Sequence, residues 1–215
     1  MQQVSIDHLY AIQEVMHSTG TLCVITDASA RSMDDMGSWL YTDKDEMKHL
    51  GGALIQMTEK LREFLLLGIS KMVEDFFNNI NEVQGTTISV WDPSLDHLSH
   101  VREVRWVRHL SNVIKHNNSV ISSVTNSRSC RALIQQFGAP DDTPVAYLPE
   151  FGRLPLREVM LRYTYYAMTF CFALLDQAKL FSLRNQPVPH DDIPDYMLDR
   201  FVRRLPGHPE RVTNG

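Results

Sequence analysis

Apolar residues recur at steps of three and four along most of this sequence, which is the period of a helix with one buried face. The pattern predicts a short amphipathic helix over residues 4–18, a long helix over 43–83 and another long helix over 156–183. A further helix is predicted from Asp92, a natural N-cap followed by proline, to about His116. Helices therefore account for most of the predicted structure.

The segments between these helices carry shorter patterns. Residues 21–41 contain the apolar run LCVIT, which predicts a strand, followed by a loop that acts as a flap or a partner-binding segment. A short strand is predicted in SVISSV at 119–124, and a short helix is predicted to end at Gly138. Three prolines between 144 and 155 predict an extended or irregular stretch. The fold class is thus an all-α helical bundle with a small extended or β insertion between its two C-terminal long helices.

Three parts of the chain differ in pattern. Residues 1–42 are predicted to be an N-terminal helix and loop appendage, and residues 43–183 the helical domain itself. Residues 184–215 combine a proline-rich linker, a short helix in DYMLDRFVRRL and a tail.

Composition narrows the classes of function. With 215 residues and 43% apolar content, the chain can bury a sizeable core, but its net charge of −5 means that any nucleic-acid binding must depend on a local basic patch. The three cysteines lack zinc spacing, which predicts a reducing, cytoplasmic setting without a metal or cofactor. The N-terminus lacks signal-peptide features, and the most apolar window, 159–181, is predicted to be a core helix rather than a membrane span.

Polar donors are concentrated on the helix that ends at His116. At 100° per residue, five of them fall within an arc of about 80°: Arg102, Arg105, His109, Asn112 and His116. The apolar residues of the other wall are predicted to be buried: Trp106, Val107, Leu110, Val113 and Ile114. The donor stripe is either a solvated face with incidental cations or a specific polar site. An asparagine within a helix favours the second interpretation, because its amide competes for backbone hydrogen bonds.

The segment SNVIKHNNSVIS, Ser111 to Ser122, resembles the HEPN superfamily of compact α-helical domains. Many members carry Arg-Asn, three residues and then His at the end of a long helix, followed by a polar turn, an extended insertion and another long helix. Asn112 and His116 occupy the Asn and His places, and Ser111 stands where Arg is usual. The resemblance covers roughly residues 43–183.

The resemblance implies a non-catalytic or partner-regulated module of a prokaryotic defence or toxin–antitoxin system, a homodimer that binds protein, RNA or both. The alternative that it implies is a metal-independent endoribonuclease acting at a dimer cleft. There His116 would be the general base or acid, Asn112 would orient it or the phosphate, and Arg105 or Arg108 would stabilise developing charge. Four further residues are predicted to bind substrate: Arg102, His109, Lys115 and Asn117.

Other patterns favour less specific interpretations. SNVIKH also looks like the Asn-box of histidine-kinase ATPase domains, but the glycine-rich nucleotide loops of that fold are missing. HDDIPD, at 190–195, is either a metal cluster or a solvated acidic loop, and its proline-rich setting favours the loop. The aromatic residues between Tyr163 and Phe172 are predicted to form core and interface rather than a base-stacking platform.

Overall fold

The computed structural model describes residues 6–39, 44–125, 127–148 and 154–177. Within them lie five α-helices and one two-stranded sheet, which confirms the predicted all-α class with a small β insertion. The helices are α1 (Ile6–Trp39), α2 (Lys44–Gln84), α3 (Val101–His116), α4 (Arg128–Phe137) and α5 (Leu156–Gln177). The strands are β1 (Val120–Ile121) and β2 (Thr143–Pro144), and short 3-10 turns occupy Pro93–Leu95 and Val145–Tyr147.

Helix α1 packs antiparallel against α2. The Thr19 hydroxyl lies 3.2 Å from the Met72 sulfur, while further along α1 the Met33 sulfur lies 3.4 Å from the Thr58 hydroxyl. The Leu22 side chain of α1 packs directly on the backbone of α2 at Gly68, because a Cβ there would collide with a methyl group of Leu22. The first two helices therefore form a long hairpin.

The predicted strand and loop at 21–41 are wrong, because α1 continues through Trp39. Of the run LCVIT, Leu22 and Cys23 are buried with Thr26, whereas Val24 and Ile25 are exposed. That spacing matches one face of a helix against α2 and α5. Burial of this face outweighs the strand preference of the β-branched residues.

The predicted helix over 92–116 is two elements. Asp92 does cap a turn, accepting a hydrogen bond from the Ser94 amide at 2.9 Å, but that turn is the 3-10 segment Pro93–Leu95. His100 then adopts a left-handed conformation with φ of 63°, and its ring stacks on Tyr166 at 4.5 Å. Helix α3 begins only after this break, at Val101.

The core lies where α2, α3 and α5 meet. Phe76, Leu110 and Phe170, one from each helix, are fully buried. The prediction that the apolar window of α5 is a core helix is confirmed, and in the described part of the chain no helix has the length and apolarity to cross a membrane.

The insertion between α3 and α5 holds α4 against α3. Strands β1 and β2 pair antiparallel, with Val120 opposite Pro144. Ser127 caps the start of α4. Gly138 ends the helix with φ of 69°, and this end is the one that the sequence predicts. The acidic segment HDDIPD and the short helix predicted in DYMLDRFVRRL lie outside the described residues, and the three-part domain division stays a prediction.

Candidate functional site

A cleft of about 690 Å³ opens between α3 and α4. Helix α3 contributes Arg105, His109 and Asn112, at steps of four and three, so three members of the predicted donor stripe share one wall. The full lining is Trp91, Arg105, His109, Asn112, Arg128, Ser129, Arg131, Ala132, Gln135 and Gln136.

The charge of the cleft is positive. Among the described residues that line it are three arginines and no carboxylate. Arg128 and Arg131 are exposed, and neither forms an ion pair with another described residue. Both belong to the first turn of α4, whose backbone amides add partial positive charge. The cleft is therefore suited to an anion.

Arg105 is already engaged by the protein. Its Nε donates to the Val90 carbonyl at 2.7 Å, and one Nη donates to the Asp92 carbonyl at 3.0 Å. The other Nη pairs with the Asp96 carboxylate at 2.6 Å. These bonds tie the chain on both sides of Trp91 to α3, so Arg105 fixes one wall of the cleft.

A small hydrogen-bonded cluster forms the floor of the cleft. The Ser129 hydroxyl oxygen accepts from the Asn112 amide at 3.3 Å and lies 3.2 Å from Nδ1 of His109. The donor of the second hydrogen bond is set by the tautomer of the imidazole. Burial, with a smaller contribution from Arg128, lowers the pKa of His109 to about 4. The imidazole is therefore neutral at pH 7.

Aromatic rings line one side of the same cleft. Trp91 is 39% exposed, and its ring centre lies 4.5 Å from that of His109. Behind them, His109 meets the Phe137 ring edge-on at 6.1 Å. The Arg102 guanidinium lies over Phe137 at 5.6 Å, beside the cleft rather than in it.

Two predicted site residues lie on the opposite flank of α3, towards α2. Arg108 donates to the Ser70 hydroxyl at 2.9 Å and to the Glu74 carboxylate at 2.8 Å. The hydrogen bond from Arg108 to Glu74 holds the pKa of the Glu74 carboxyl below its usual value. The charge of the exposed Lys115 lowers this pKa further. Neither cation lines the cleft.

The structure does not bring His116 into the cleft. His116 is exposed at the last position of α3, and its ring makes no hydrogen bond or ion pair with another described residue. Asn117 donates to the Cys130 sulfur at 2.9 Å and to the Thr125 hydroxyl at 3.2 Å, so it stabilises the turn. Asn112 therefore meets His109 and Ser129, and the predicted catalytic roles stay predictions.

Sequence reasoning missed the residues contributed by α4 and by the segment before α3. Arg128, Arg131 and Gln135 recur at steps of three and four, a polar stripe that was available as a signal. Trp91 had no such signal, because its position depends on the bonds of Arg105 to the neighbouring carbonyls and on the contact with His109.

Within the described residues, no group of three or more His, Cys, Asp or Glu side chains could hold a metal ion. No protein-family model matches the sequence, and neither a curated protein nor a solved structure matches it.

Proposed function

We propose that this protein is an RNA-binding module without catalytic activity of its own, and that the cleft between α3 and α4 binds the phosphate backbone. The observation that carries this proposal is the pair Arg128 and Arg131, exposed in a cleft whose described lining includes no carboxylate. Guanidinium groups bind phosphate through parallel, charge-assisted hydrogen bonds.

The local charge matters because the whole chain has a net charge of −5. A polyanion is repelled by such a molecule at long range and is held only where cations are concentrated. Arg128, Arg131 and the start of α4 supply that concentration, with the amides of Gln135 and Gln136 beside them. Binding is accordingly local and sensitive to salt.

The geometry supports binding better than cleavage. A general base works best when its pKa lies near the working pH, whereas the pKa of His109 is about 4. The guanidinium groups of Arg105 and Arg108 already serve backbone carbonyls and carboxylates. The two predicted catalytic arginines are therefore not available to stabilise a phosphorane in the cleft.

The buried position of Ser111 supports the same choice. Ser111 occupies the place where HEPN domains usually carry Arg, and its side chain is 0% exposed. Its hydroxyl has no hydrogen-bond partner among the described residues. An arginine at this position would require burial of a charge, which is costly.

The proposed setting is a homodimeric HEPN-like module in a prokaryotic defence or toxin–antitoxin assembly. Its support is the motif Asn112 to His116 together with the order of elements: a long helix, a turn, a small β insertion and another long helix. Light scattering on the purified protein tests the dimer, and a monomer at all concentrations would contradict it.

A metal-independent endoribonuclease is the second candidate. The observation that favours it is the exposure of His116 at the end of α3, where a second subunit has access to the ring. Incubation with tRNA and total RNA in EDTA tests this candidate. Cleavage that is lost in His116→Ala supports it, and intact RNA with both proteins contradicts it.

Fluorescence anisotropy with a labelled RNA tests the main proposal. The double variant Arg128→Gln with Arg131→Gln should bind roughly tenfold more weakly or worse, because two phosphate contacts are lost. The matched control is Lys60→Gln with Lys71→Gln, which removes the same charge from α2, away from the cleft. Equal affinity of the two double variants would overturn the proposal.

A further inference from the structure

We propose that the cleft selects single-stranded nucleic acid, with one unpaired base stacked on Trp91 and the adjoining phosphates on Arg128 and Arg131. This inference rests on the proposed function and adds the class of ligand. Among the described residues that line the cleft, Trp91 is the one aromatic side chain that is exposed.

The exposure of Trp91 distinguishes it from Trp106. Trp106 is 8% exposed and stacks on Tyr163 at 5.5 Å in the core. Trp91 is 39% exposed and lines the same cleft as two guanidinium groups that are free of ion pairs with described residues. A flat apolar ring next to cations is the combination that binds single strands without reading their sequence.

The indole is also held in place before any ligand arrives. Arg105 bonds the carbonyls of Val90 and Asp92, the residues on either side of Trp91. The neutral ring of His109 supports the indole from within the cleft at 4.5 Å. A ring fixed in this way loses little conformational entropy when a base stacks on it.

The position of Trp91 among the cleft residues favours a strand over a duplex. In a double helix the faces of the bases are covered by their neighbours, so a protein ring can stack only on an unpaired base. Gln135 and Gln136 present amide donors and acceptors in the same cleft, which suit the exposed edges of such a base. Arg128 and Arg131 lie in the same cleft and would bind the phosphates on either side of that base.

Anisotropy with four labelled ligands tests the inference: a single-stranded RNA, the same strand in DNA, the RNA with abasic positions, and the RNA duplex. The wild type should bind both intact single strands roughly 5- to 100-fold more tightly than the abasic strand or the duplex. Trp91→Leu should lose this preference, and Trp91→Phe should keep most of it. The matched control is Tyr147→Leu, which removes an aromatic ring that is 63% exposed outside the cleft.

The outcomes separate the two proposals. Equal affinity of the wild type for intact and abasic strands would overturn stacking, while a loss in the Arg128 and Arg131 double variant would leave phosphate binding standing. Binding of none of the ligands would overturn the proposed function together with this inference. Quenching of tryptophan fluorescence by the strand, absent in Trp91→Phe, supports stacking independently of affinity, and circular dichroism confirms that each variant is folded.

Discussion

Similar cations lie on the two sides of α3 in different surroundings. On the flank towards α2, Arg108 meets the Glu74 carboxylate at 2.8 Å, so its charge is neutralised within the fold. On the flank towards α4, Arg128 and Arg131 face a cleft whose described lining includes no carboxylate. The difference shows that a basic residue becomes a candidate binding group only when the neighbouring element leaves its charge unpaired.

The largest expected change in stability comes from His109 on the floor of the cleft, and it depends on pH. Because the pKa of His109 falls from 6.5 to about 4 on folding, the unfolded chain binds more protons than the folded chain between these values. The contribution of the neutral His109 to the free energy of unfolding is fully present above about pH 6.5 and is lost as the pH falls towards 4. It amounts to about 3 kcal/mol at most.

Urea unfolding between pH 4 and 7 measures this dependence. The variant His109→Gln keeps a polar side chain without the titration, so its stability should change less over the same range. Parallel curves for the variant and the wild type would contradict the assignment of a buried neutral imidazole.

Substitution of Arg105 should give the next largest loss of stability. Arg105→Met leaves the carbonyls of Val90 and Asp92 without their donor, and Val90 is buried, so the free energy of unfolding should fall by roughly 1–3 kcal/mol. RNA affinity should fall as well, because Trp91 is no longer fixed. Arg102→Met is the control, since its exposed guanidinium lies over the Phe137 ring and forms no hydrogen bond or ion pair with another described residue. Equal losses in both variants would show that Arg105 does not position the wall.

Substitution of Arg108 should give the smallest loss of stability. It thereby tests whether the side of α3 towards α2 takes part in RNA binding. Glu74 is partly exposed, so Arg108→Met should cost less than about 1 kcal/mol and leave RNA affinity unchanged. The pKa of Glu74, followed by NMR titration, should rise towards its usual value once the Arg108 hydrogen bond is lost. A large fall in RNA affinity would mean that the α2 flank, rather than the cleft, binds RNA.

The fold could be predicted where local rules decide the structure. The three- and four-residue period predicted α2 and α5, and Ser127 and Gly138 bound α4 as capping chemistry requires. The errors lie where distant contacts decide. The stacking of His100 on Tyr166 accompanies the break before α3, and packing against α2 and α5 keeps 21–39 helical.

The candidate site was predicted only in part for the same reason. The position of Asn112 and His109 on one wall follows from helix geometry alone. Which wall stays open depends on where α4 packs, and this is decided by the insertion and its short sheet. His116 therefore shares a stripe with Asn112 in the sequence but does not share its cleft in the structure.

The salt dependence of RNA affinity tests the central claim, phosphate binding by Arg128 and Arg131, most directly. The logarithm of the binding constant should fall linearly with the logarithm of the salt concentration. For the double variant Arg128→Gln with Arg131→Gln, the slope should be shallower than that of the wild type by about 1.4, or about 0.7 for each lost contact. Identical slopes for the two proteins would contradict the claim.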